Sequence, residues 1–232
     1  MDRFEAILLD MGRTFMFDVD RFSEKEDFGA TYRELGGKAL MGSEVHRIIT
    51  ALFEKMLSDS RNPNCYDRFP SVLDYLRGLT GGKKMPSSEM SLLGQVFATH
   101  EIGTVPDAYV NVLRQLRETH RLGVVSDIWS KSDLYLKEFD RAGIHDLFEV
   151  IIFSSDYGIL KPSAQLFTKA IEALQVDPSK IVFVGDSLRR DIAGANAAGL
   201  SAIWINNGAA TPDTPFANPD WVIHDLQDLL ER

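Results

Sequence analysis

The side chains best suited to chemistry each follow a short apolar run of the sequence. Asp10 follows the first run, Ser126 ends the second, Lys161 comes after the loop that leaves the third, and Asp186 follows the fourth, with Asp191 five positions later. If these runs are parallel strands, their carboxyl ends meet at one edge of the sheet. Carboxylates that lie side by side repel each other unless a cation lies between them, and oxygen ligands select a hard ion such as Mg²⁺. With a lysine and a serine beside it, such an ion forms a phosphate-binding arrangement.

The elements that must position these residues alternate in type after Pro106, where apolar runs of strand length alternate with segments of helical periodicity. The predicted strands are 4–9, 123–126, 150–153, 181–184, 202–205 and a short last one at 221–223. The predicted helices between them are 107–119, 133–142, 164–174 and 191–198. Continuous apolar strands separated by helices indicate a parallel sheet covered on both faces and joined by right-handed crossovers. The sequence therefore predicts an α/β fold with a doubly wound parallel sheet.

Residues 20–101 differ in character, because they show helical periodicity and no convincing strand. The segment Ser23-Glu24-Lys25-Glu26 has the pattern of a capping box for a first helix, and Ser43 is the predicted cap of a second. Two further helices are predicted at 71–82 and 87–103, with Lys83-Lys84 in a solvated loop between them. Such helices can pack as a small bundle. We therefore predict a core at 1–19 and 102–232, and a helical cap at 20–101 over the strand ends.

Composition limits the class of protein. The length of 232 residues allows one large domain, or one domain with a smaller partner. A hydrophobic share of 44% and a charged share of 25% exclude a disordered or fibrous chain. With 25 basic and 34 acidic residues the net charge is −9, so neither nucleic acid nor a membrane is an expected partner. No apolar run is long enough to span a bilayer, and the single cysteine, Cys65, cannot form an internal disulfide. These features favour a cytoplasmic protein.

The same segments resemble the motifs of the haloacid dehalogenase-like hydrolases, over nearly the whole chain. Asp10-Met11-Gly12-Arg13-Thr14 is similar to the first motif of that family, and Ser126 is similar to the second. The segment 161–167 resembles the third motif, and Gly185-Asp186-Ser187 with Asp191 resembles the fourth. The helical insert looks like the type-one cap of the family. Any one of these motifs is a weak signal, whereas four in order, each at a strand end, are a strong one.

The resemblance implies a role for each residue. Asp10 would be the nucleophile that becomes an aspartyl-phosphate, while Ser126 and Lys161 would hold the phosphoryl oxygens and stabilise the charge of the transition state. Asp191 would orient Lys161 or a metal-bound water. The implied phosphate-binding set is Met11, Gly12, Ser126, Asp127 and Lys161. The implied Mg²⁺ site consists of Asp10, the Gly12 carbonyl, Asp186 and Asp191.

Gly12 departs from the family pattern. Phosphatases of the family usually carry a second aspartate at this position, which protonates the leaving group and later activates water. Glycine has no side chain, so this general acid is missing, and the tyrosine that family dehalogenases usually carry is missing as well. Asp18 or Asp20, in the loop that follows, could supply the acid, although solvated or helix-capping roles are the common alternative for such residues.

The interpretation that these residues favour is a Mg²⁺-dependent phosphatase that acts on a small soluble phosphomonoester, with a cap that closes over the site. Gly12 and Asp127 leave open a catalytically weak or inactive member of the family that binds a phosphorylated ligand as a regulator. A metal-independent dehalogenase or phosphonatase is a third alternative, and the presence of Asp186 argues against it. The identity of the substrate and the oligomeric state are not predicted.

Overall fold

The computed structural model describes residues 1, 3–79, 85–208 and 217–231. The strands are β1 (Ala6–Leu9), β2 (Arg121–Ser126), β3 (Phe148–Phe153), β4 (Ile181–Gly185), β5 (Ser201–Ile205) and β6 (Trp221–Ile223). They form a six-stranded sheet within the described residues, in the order β3-β2-β1-β4-β5-β6, and every neighbouring pair is parallel. This order confirms the predicted doubly wound α/β sheet. Its direction of winding reverses between β1 and β4, which is where ligands of such sheets bind.

The first strand shows why the apolar runs are continuous. Ile7 and Leu9 belong to the apolar cluster on one face of the sheet, whereas Ala6 and Leu8 belong to the cluster on the other face. Side chains of a strand alternate between its faces, so a strand that is covered on both sides must be apolar at every position. The strand can end only where the cover ends, and the first polar residue after it therefore lies at the edge of the sheet.

Between β1 and β2 the chain forms a helical insertion, as the sequence predicts. Its helices are α1 (Phe28–Glu34), α2 (Gly42–Asp59), α3 (Val72–Leu79) and α4 (Ser87–Glu101). The predicted end of the third helix at Gly81-Gly82 and the predicted Lys83-Lys84 loop lie outside the described residues. The buried side chains of the four helices form an apolar cluster of their own, to which Leu160 contributes from the core. This cluster supports the division into a core (1–19 and 102–232) and a cap (20–101), which stays a prediction.

The two predicted helix caps in this insertion are wrong. Residues 23–26 precede the first helix, and Asp27 caps it by accepting the N–H of Ala30 at 2.8 Å. Ser43 lies inside the first turn of α2, and the N-terminal position is taken by Met41. The residues directly before α2 are Ala39, Leu40 and Met41, which have no side-chain oxygen, whereas several polar residues precede α1 and any of them can accept a free N–H of its first turn. Packing of the following turns decides which one does so, and a local pattern does not contain that information.

The remaining helices are α5 (Asp107–Thr119), α6 (Asp133–Ala142), α7 (Ser154–Tyr157), α8 (Ala164–Leu174) and α9 (Ala193–Ala197). Three of them have the predicted bounds, and α7 occupies a segment predicted as a loop because one helical turn is too short to show a periodicity. The predicted helix at 191–198 is shorter, since a π-helical turn, Leu188–Ile192, precedes α9. Among the described residues no helix is both long and apolar enough to cross a membrane.

Candidate active site

The carboxyl edge of the sheet brings together the polar residues that follow the strands. The backbone N–H of Asp10, directly after β1, donates to the Val184 carbonyl of β4 at 2.8 Å. Ser126 is the last residue of β2, and Asp186 follows β4. Asp10 and Asp186 therefore lie at the ends of adjacent strands, at the point where the winding of the sheet reverses.

Lys161 lies at the centre of this edge and is only 1% exposed. Its Nζ donates to Asp10 Oδ1 at 2.7 Å, to Asp191 Oδ1 at 2.6 Å and to the Val125 carbonyl at 3.1 Å. The three protons of the ammonium group are thereby all used. Burial lowers the pKa of Lys161, but the carboxylates of Asp10, Asp191 and Asp127 outweigh burial and hold this pKa above its ordinary value. The lysine is therefore a permanent buried cation between two carboxylates.

Ser126 and Asp127 hold neighbouring groups of the site in place. Ser126 Oγ donates to Asp10 Oδ1 at 2.9 Å, so this oxygen accepts from the serine and from Lys161. Asp127 Oδ1 accepts the backbone N–H of Lys161 at 3.0 Å. Burial raises the pKa of Asp127 to about 6, although Lys161 and Arg190 act in the opposite direction. The Asp127 carboxylate thus positions the lysine, and its implied role in binding phosphate, which would have to use the backbone, stays a prediction.

Asp10, Asp186 and Asp191 form a cluster that could hold a metal ion. One carboxylate oxygen from each lies within 4.8 Å of the other two. Burial, and then the charges of Asp191 and Asp10, raise the pKa of Asp186 to about 7. The part of this shift that comes from Asp191 and Asp10 is expected where like charges meet, and a bound cation would oppose that part. Because the donors are oxygens, the cluster fits a hard divalent ion.

Asp191 reaches the cluster because the chain turns back sharply after β4. Its Oδ1 accepts from Lys161 Nζ at 2.6 Å and its Oδ2 accepts the backbone N–H of Ser187 at 2.8 Å. A Cβ atom on Gly185 would lie 2.6 Å from Cγ of Asp191, so this close approach requires glycine at the end of the strand. The geometry agrees with a lysine-orienting role for Asp191, whereas direct ligation of a metal by Asp191 or by the Gly12 carbonyl stays a prediction.

The cluster faces a cavity of about 570 Å³ that is lined by the sheet edge and by the insertion. Part of its lining was not foreseen from the sequence. Phe53, Leu57 and Arg61 line it from the C-terminal end of α2 and the turn that follows, and Trp129 lines it from the loop after β2. The rings of Phe53 and Trp129 are 5.9 Å apart and form an apolar wall. Periodicity identifies the apolar face of α2 but does not tell which part of that face is left for a ligand.

Several arginines also line the cavity. Arg13 Nη1 lies 4.0 Å from Asp186 Oδ2, and Arg190 Nη1 lies 4.0 Å from Asp127 Oδ2. A signal for Arg190 existed in the sequence, because this residue directly precedes Asp191 in the fourth motif. These cations offset part of the negative charge that the carboxylates bring to the cavity, and they suit an anionic ligand.

Glu101, where the insertion returns to the core, bonds both to the segment that enters the insertion and to the loop after β2. The residue is 4% exposed, and its carboxylate accepts the N–H groups of Trp129 at 2.6 Å and Ser130 at 2.9 Å. Its carbonyl accepts the N–H of Asp20 at 3.0 Å. Burial raises the pKa of Glu101 to about 7, against the effect of the donors from Ser130 and Trp129. No pattern in the sequence points to this residue, because it lies at the end of an otherwise ordinary helix.

The structure separates the two aspartates considered as replacements for the missing acid. Asp20 lines the cavity, whereas Asp18 lines a different groove, together with Arg21 and Lys137. Sequence alone could not distinguish them, since both lie in the same loop with one residue between them.

A parallel α/β sheet with this polar constellation at its carboxyl edge, and with a helical insertion after the first strand, defines a class of hydrolases. The model of the haloacid dehalogenase-like hydrolase family matches residues 15–199, and the chain therefore belongs to this family, as its motifs predicted. Helices between β1 and β2 occupy the place expected for the helical cap.

Curated proteins of similar sequence include phosphatases. The chain is 35% identical over 98 residues to a phosphoserine phosphatase of Thermus thermophilus, over 42% of this chain and 39% of that protein. It is 35% identical over 106 residues to a glyceraldehyde 3-phosphate phosphatase of Methanopyrus kandleri, over 43% of this chain and 46% of that protein. The chain thus spans less than half the length of these relatives. Among solved structures, the chain is similar to the magnesium-bound hydrolase YfnB of Bacillus subtilis, with a TM-score of 0.62 and 20% identity. The superposition covers 99% of this chain and 98% of that chain, and it shows that the two share a fold.

Proposed function

We propose that the chain is a magnesium-dependent phosphatase that hydrolyses a small phosphomonoester through a phosphorylated Asp10. The observation that carries the proposal is the buried Lys161, whose Nζ is bonded to Asp10 and Asp191 beside the Asp186 carboxylate. The activities of the phosphoserine and glyceraldehyde 3-phosphate phosphatases to which the chain is similar support it.

Asp10 would act as the nucleophile. Its Oδ1 accepts from Ser126 and Lys161, while no described residue donates a hydrogen bond to its Oδ2. The carboxylate is thereby held in one orientation without losing both oxygens to hydrogen bonds. As the phosphoryl group arrives, Lys161 and Ser126 can donate to its oxygens and oppose the negative charge of the transition state. Asp191 keeps the lysine in place during this exchange of partners, since it holds Nζ through a separate bond.

Asp10 and Asp186 would hold the Mg²⁺ ion, with the Gly12 carbonyl and Asp191 as further candidates. When bound, the ion supplies positive charge that neutralises the phosphate and reduces its repulsion from the carboxylate nucleophile. The protein provides oxygen donors on two adjacent strands, which are held rigidly by the sheet.

The lining of the cavity indicates which chemical groups the substrate carries besides its phosphate. Arg61, on the insertion side, is exposed, and its guanidinium group has no hydrogen-bond or ion-pair partner among the described residues. An arginine that lines a binding cavity without a partner suits an anionic group, such as the carboxylate of a phosphorylated acid. The wall of Phe53 and Trp129 would contact the carbon skeleton of the same substrate. We therefore infer that the substrate carries a second anionic group besides its phosphate.

The test is hydrolysis of p-nitrophenyl phosphate and of a panel of phosphorylated metabolites, with and without Mg²⁺. Wild-type protein should turn over and require the metal, and Asp10→Asn should lose turnover because an amide is a poor nucleophile. Asp146→Asn, which changes an exposed aspartate outside the cavity lining, is the matched control. Tight binding of phosphate or a phosphorylated metabolite without turnover would instead favour the regulatory alternative. Full activity in excess chelator would favour the metal-independent one.

A further inference from the structure

Asp20 is the one carboxylate of the cavity that the proposed chemistry leaves without a task, among the described residues. The carboxylates that line the cavity are Asp10, Asp20, Glu101, Asp127, Asp186 and Asp191. Two of them bind the ammonium group of Lys161, one accepts the Lys161 backbone N–H, and one accepts two N–H groups of the loop after β2. Asp186 belongs to the candidate metal site. The Asp20 side chain has no hydrogen-bond or ion-pair partner among the described residues, so it is free to interact with a ligand.

The loop after the first motif carries Asp20 back over the site. The N–H of Arg13 donates to the Met16 carbonyl at 2.8 Å, which closes a tight turn directly after Gly12. The returning chain then passes beside Gly12, since a Cβ on that glycine would lie 3.9 Å from Cγ2 of Val19. Asp20 is the next residue. The chain therefore brings the residue before Asp20 beside Gly12, and both Gly12 and Asp20 line the cavity.

The backbone holds Asp20 in this place. Its N–H donates to the Glu101 carbonyl at 3.0 Å, and its carbonyl accepts the N–H of Phe22 at 2.9 Å. Its φ is +56°, in the left-handed region that residues other than glycine rarely adopt. Such a conformation costs on the order of 1 kcal/mol or more and persists only where the surrounding structure requires it. The anchored left-handed turn fixes the direction in which the side chain leaves the loop.

On this basis, and resting on the proposed phosphatase function, we propose that Asp20 is the general acid and base of the reaction, in place of the aspartate that Gly12 does not supply. In the first step an Asp10 oxygen attacks phosphorus and the bond from phosphorus to the leaving oxygen breaks. The electron pair stays on that oxygen, which takes the proton of the Asp20 carboxyl group and departs as an alcohol. In the second step the Asp20 carboxylate removes a proton from water, which attacks the phosphorus. The Asp10–phosphorus bond breaks, inorganic phosphate leaves, and the Asp20 carboxyl group is protonated as at the start.

The surroundings of Asp20 agree with this role. Asp20 is an exposed residue by surface area, but it lies in the lining of the cavity. Desolvation by the surrounding protein raises its pKa, the charges of Arg190 and Arg13 lower it, and the charge of Asp10 raises it, with a raised pKa as the result. Glu101, at the end of α4, is close enough to Asp20 for their charges to interact, since the charge of Asp20 raises the pKa of Glu101. A raised pKa allows a carboxyl group to keep a proton nearer neutral pH, which a general acid requires.

Asp18 provides a closely matched control. It has the same residue type, lies in the same loop and has the same φ of +56°, yet it lines the separate groove with Arg21 and Lys137. A general effect on the loop should follow from either substitution, whereas loss of an acid in the cavity should follow from Asp20→Asn alone. Asparagine and glycine both tolerate positive φ, so Asp20→Asn and Asp20→Gly should both retain the fold.

The experiment measures kcat/KM and kcat for a series of phosphomonoesters with leaving groups of increasing pKa, from p-nitrophenyl phosphate to an alkyl phosphate. For Asp20→Asn and Asp20→Gly, kcat/KM on the alkyl phosphate should fall by about 10²- to 10⁴-fold, the usual contribution of a general acid. On p-nitrophenyl phosphate it should change by less than about 10-fold, because this leaving group departs without a proton. The kcat of both variants on p-nitrophenyl phosphate should nevertheless fall, because hydrolysis of phosphorylated Asp10 then lacks its base. A burst of p-nitrophenol equal to the enzyme concentration should precede this slow steady state. Asp18→Asn should behave like the wild type.

Equal losses of kcat/KM on all leaving groups would show that Asp20 only supports the structure of the site, and they would overturn the proposal. No loss of kcat/KM, or an equal loss in Asp18→Asn, would overturn it as well. A wild-type protein that hydrolyses no phosphomonoester in the presence of Mg²⁺ would overturn the proposed function and the role of Asp20 with it. A rescue adds a positive readout: Gly12→Asp in the Asp20→Asn background should restore at least about 10-fold of the alkyl phosphate turnover, since a Cβ at residue 12 meets no atom closer than 3.9 Å.

Discussion

Replacing the buried cation by a neutral side chain of similar length, Lys161→Met, should destabilise the fold strongly. The wild-type Nζ lies 2.7 Å from Asp10 Oδ1 and 2.6 Å from Asp191 Oδ1, and both aspartates are buried. The variant therefore leaves two neighbouring carboxylates without their counter-ion. Removing one partner of a buried ion pair costs about 3–5 kcal/mol, because the other charge remains desolvated. At about 2–4 °C per kcal/mol for a chain of this size, the melting temperature should fall by roughly 6–20 °C.

The measurement is urea unfolding followed by circular dichroism, at pH 7.5 and in the presence of chelator, so that no cation replaces the ammonium group. Lys131→Met, which changes an exposed lysine outside the cavity lining, should change the free energy of unfolding by less than about 0.5 kcal/mol. Adding Asp191→Asn to Lys161→Met removes one of the two uncompensated charges and should recover about half of the loss. A loss below about 1 kcal/mol for Lys161→Met, or no recovery in the double variant, would refute the reasoning that the ammonium group is needed to balance the two carboxylates.

Three further predictions concern the metal, the substrate and pH. Asp186→Ala should lower the rate and the apparent affinity for Mg²⁺ together, which a titration of turnover with the metal would measure; an unchanged titration would exclude Asp186 from the metal site. Arg61→Gln should lower kcat/KM by about 10- to 100-fold on a substrate with a second anionic group, and much less on p-nitrophenyl phosphate, because a charged hydrogen bond contributes about 1.5–3 kcal/mol. Arg68→Gln, outside the cavity lining, is the control, and equal losses on both substrates would contradict the assignment. Burial raises the pKa of Glu101 in the folded protein to about 7, above its ordinary value of 4.5, so the folded state binds more protons than the unfolded chain between these two pH values. The free energy of unfolding of the wild type, relative to that of Glu101→Gln, should therefore be highest below about pH 4.5. It should fall by up to roughly 3 kcal/mol as pH rises and level off above about pH 8. A difference between the two free energies that does not change with pH would contradict the raised pKa.

The polar residues at the strand ends of the site could be predicted from the sequence, because the sequence shows where each apolar strand ends. Asp10, Ser126 and Asp186 each come where a continuous apolar run ends. A parallel sheet that is buried on both faces permits polar side chains only beyond its edges, and the carboxyl edge is the one that such sheets use for ligands. Burial of the strands therefore fixes the place of these residues before any contact is known.

The lining contributed by loops could not be predicted in this way. Asp18 and Asp20 differ in no local property, and the anchoring of the Asp20 N–H on Glu101 decides which of them faces the cavity. Glu101 is 81 positions later in the sequence, so a local pattern contains no trace of the contact. The same holds for Arg61 and Trp129, which line one cavity only because the insertion packs on the core.

Backbone hydrogen bonds, as well as the shared cavity, link the insertion to the segment that carries Lys161. The N–H of Leu160 donates to the Tyr66 carbonyl at 2.7 Å, and the N–H of Phe69 donates to the Gly158 carbonyl at 2.7 Å. These two bonds attach the insertion to the segment that ends in Lys161. Other contacts join the same parts of the chain, because Ser163 Oγ and Gln165 Nε2 donate to Asp67 Oδ1 at 2.7 and 3.0 Å and Leu160 packs in the apolar cluster of the insertion. If the insertion closes over the proposed phosphorylated Asp10, these contacts would bring Lys161 and the apolar wall of the cavity into place together and would exclude bulk water.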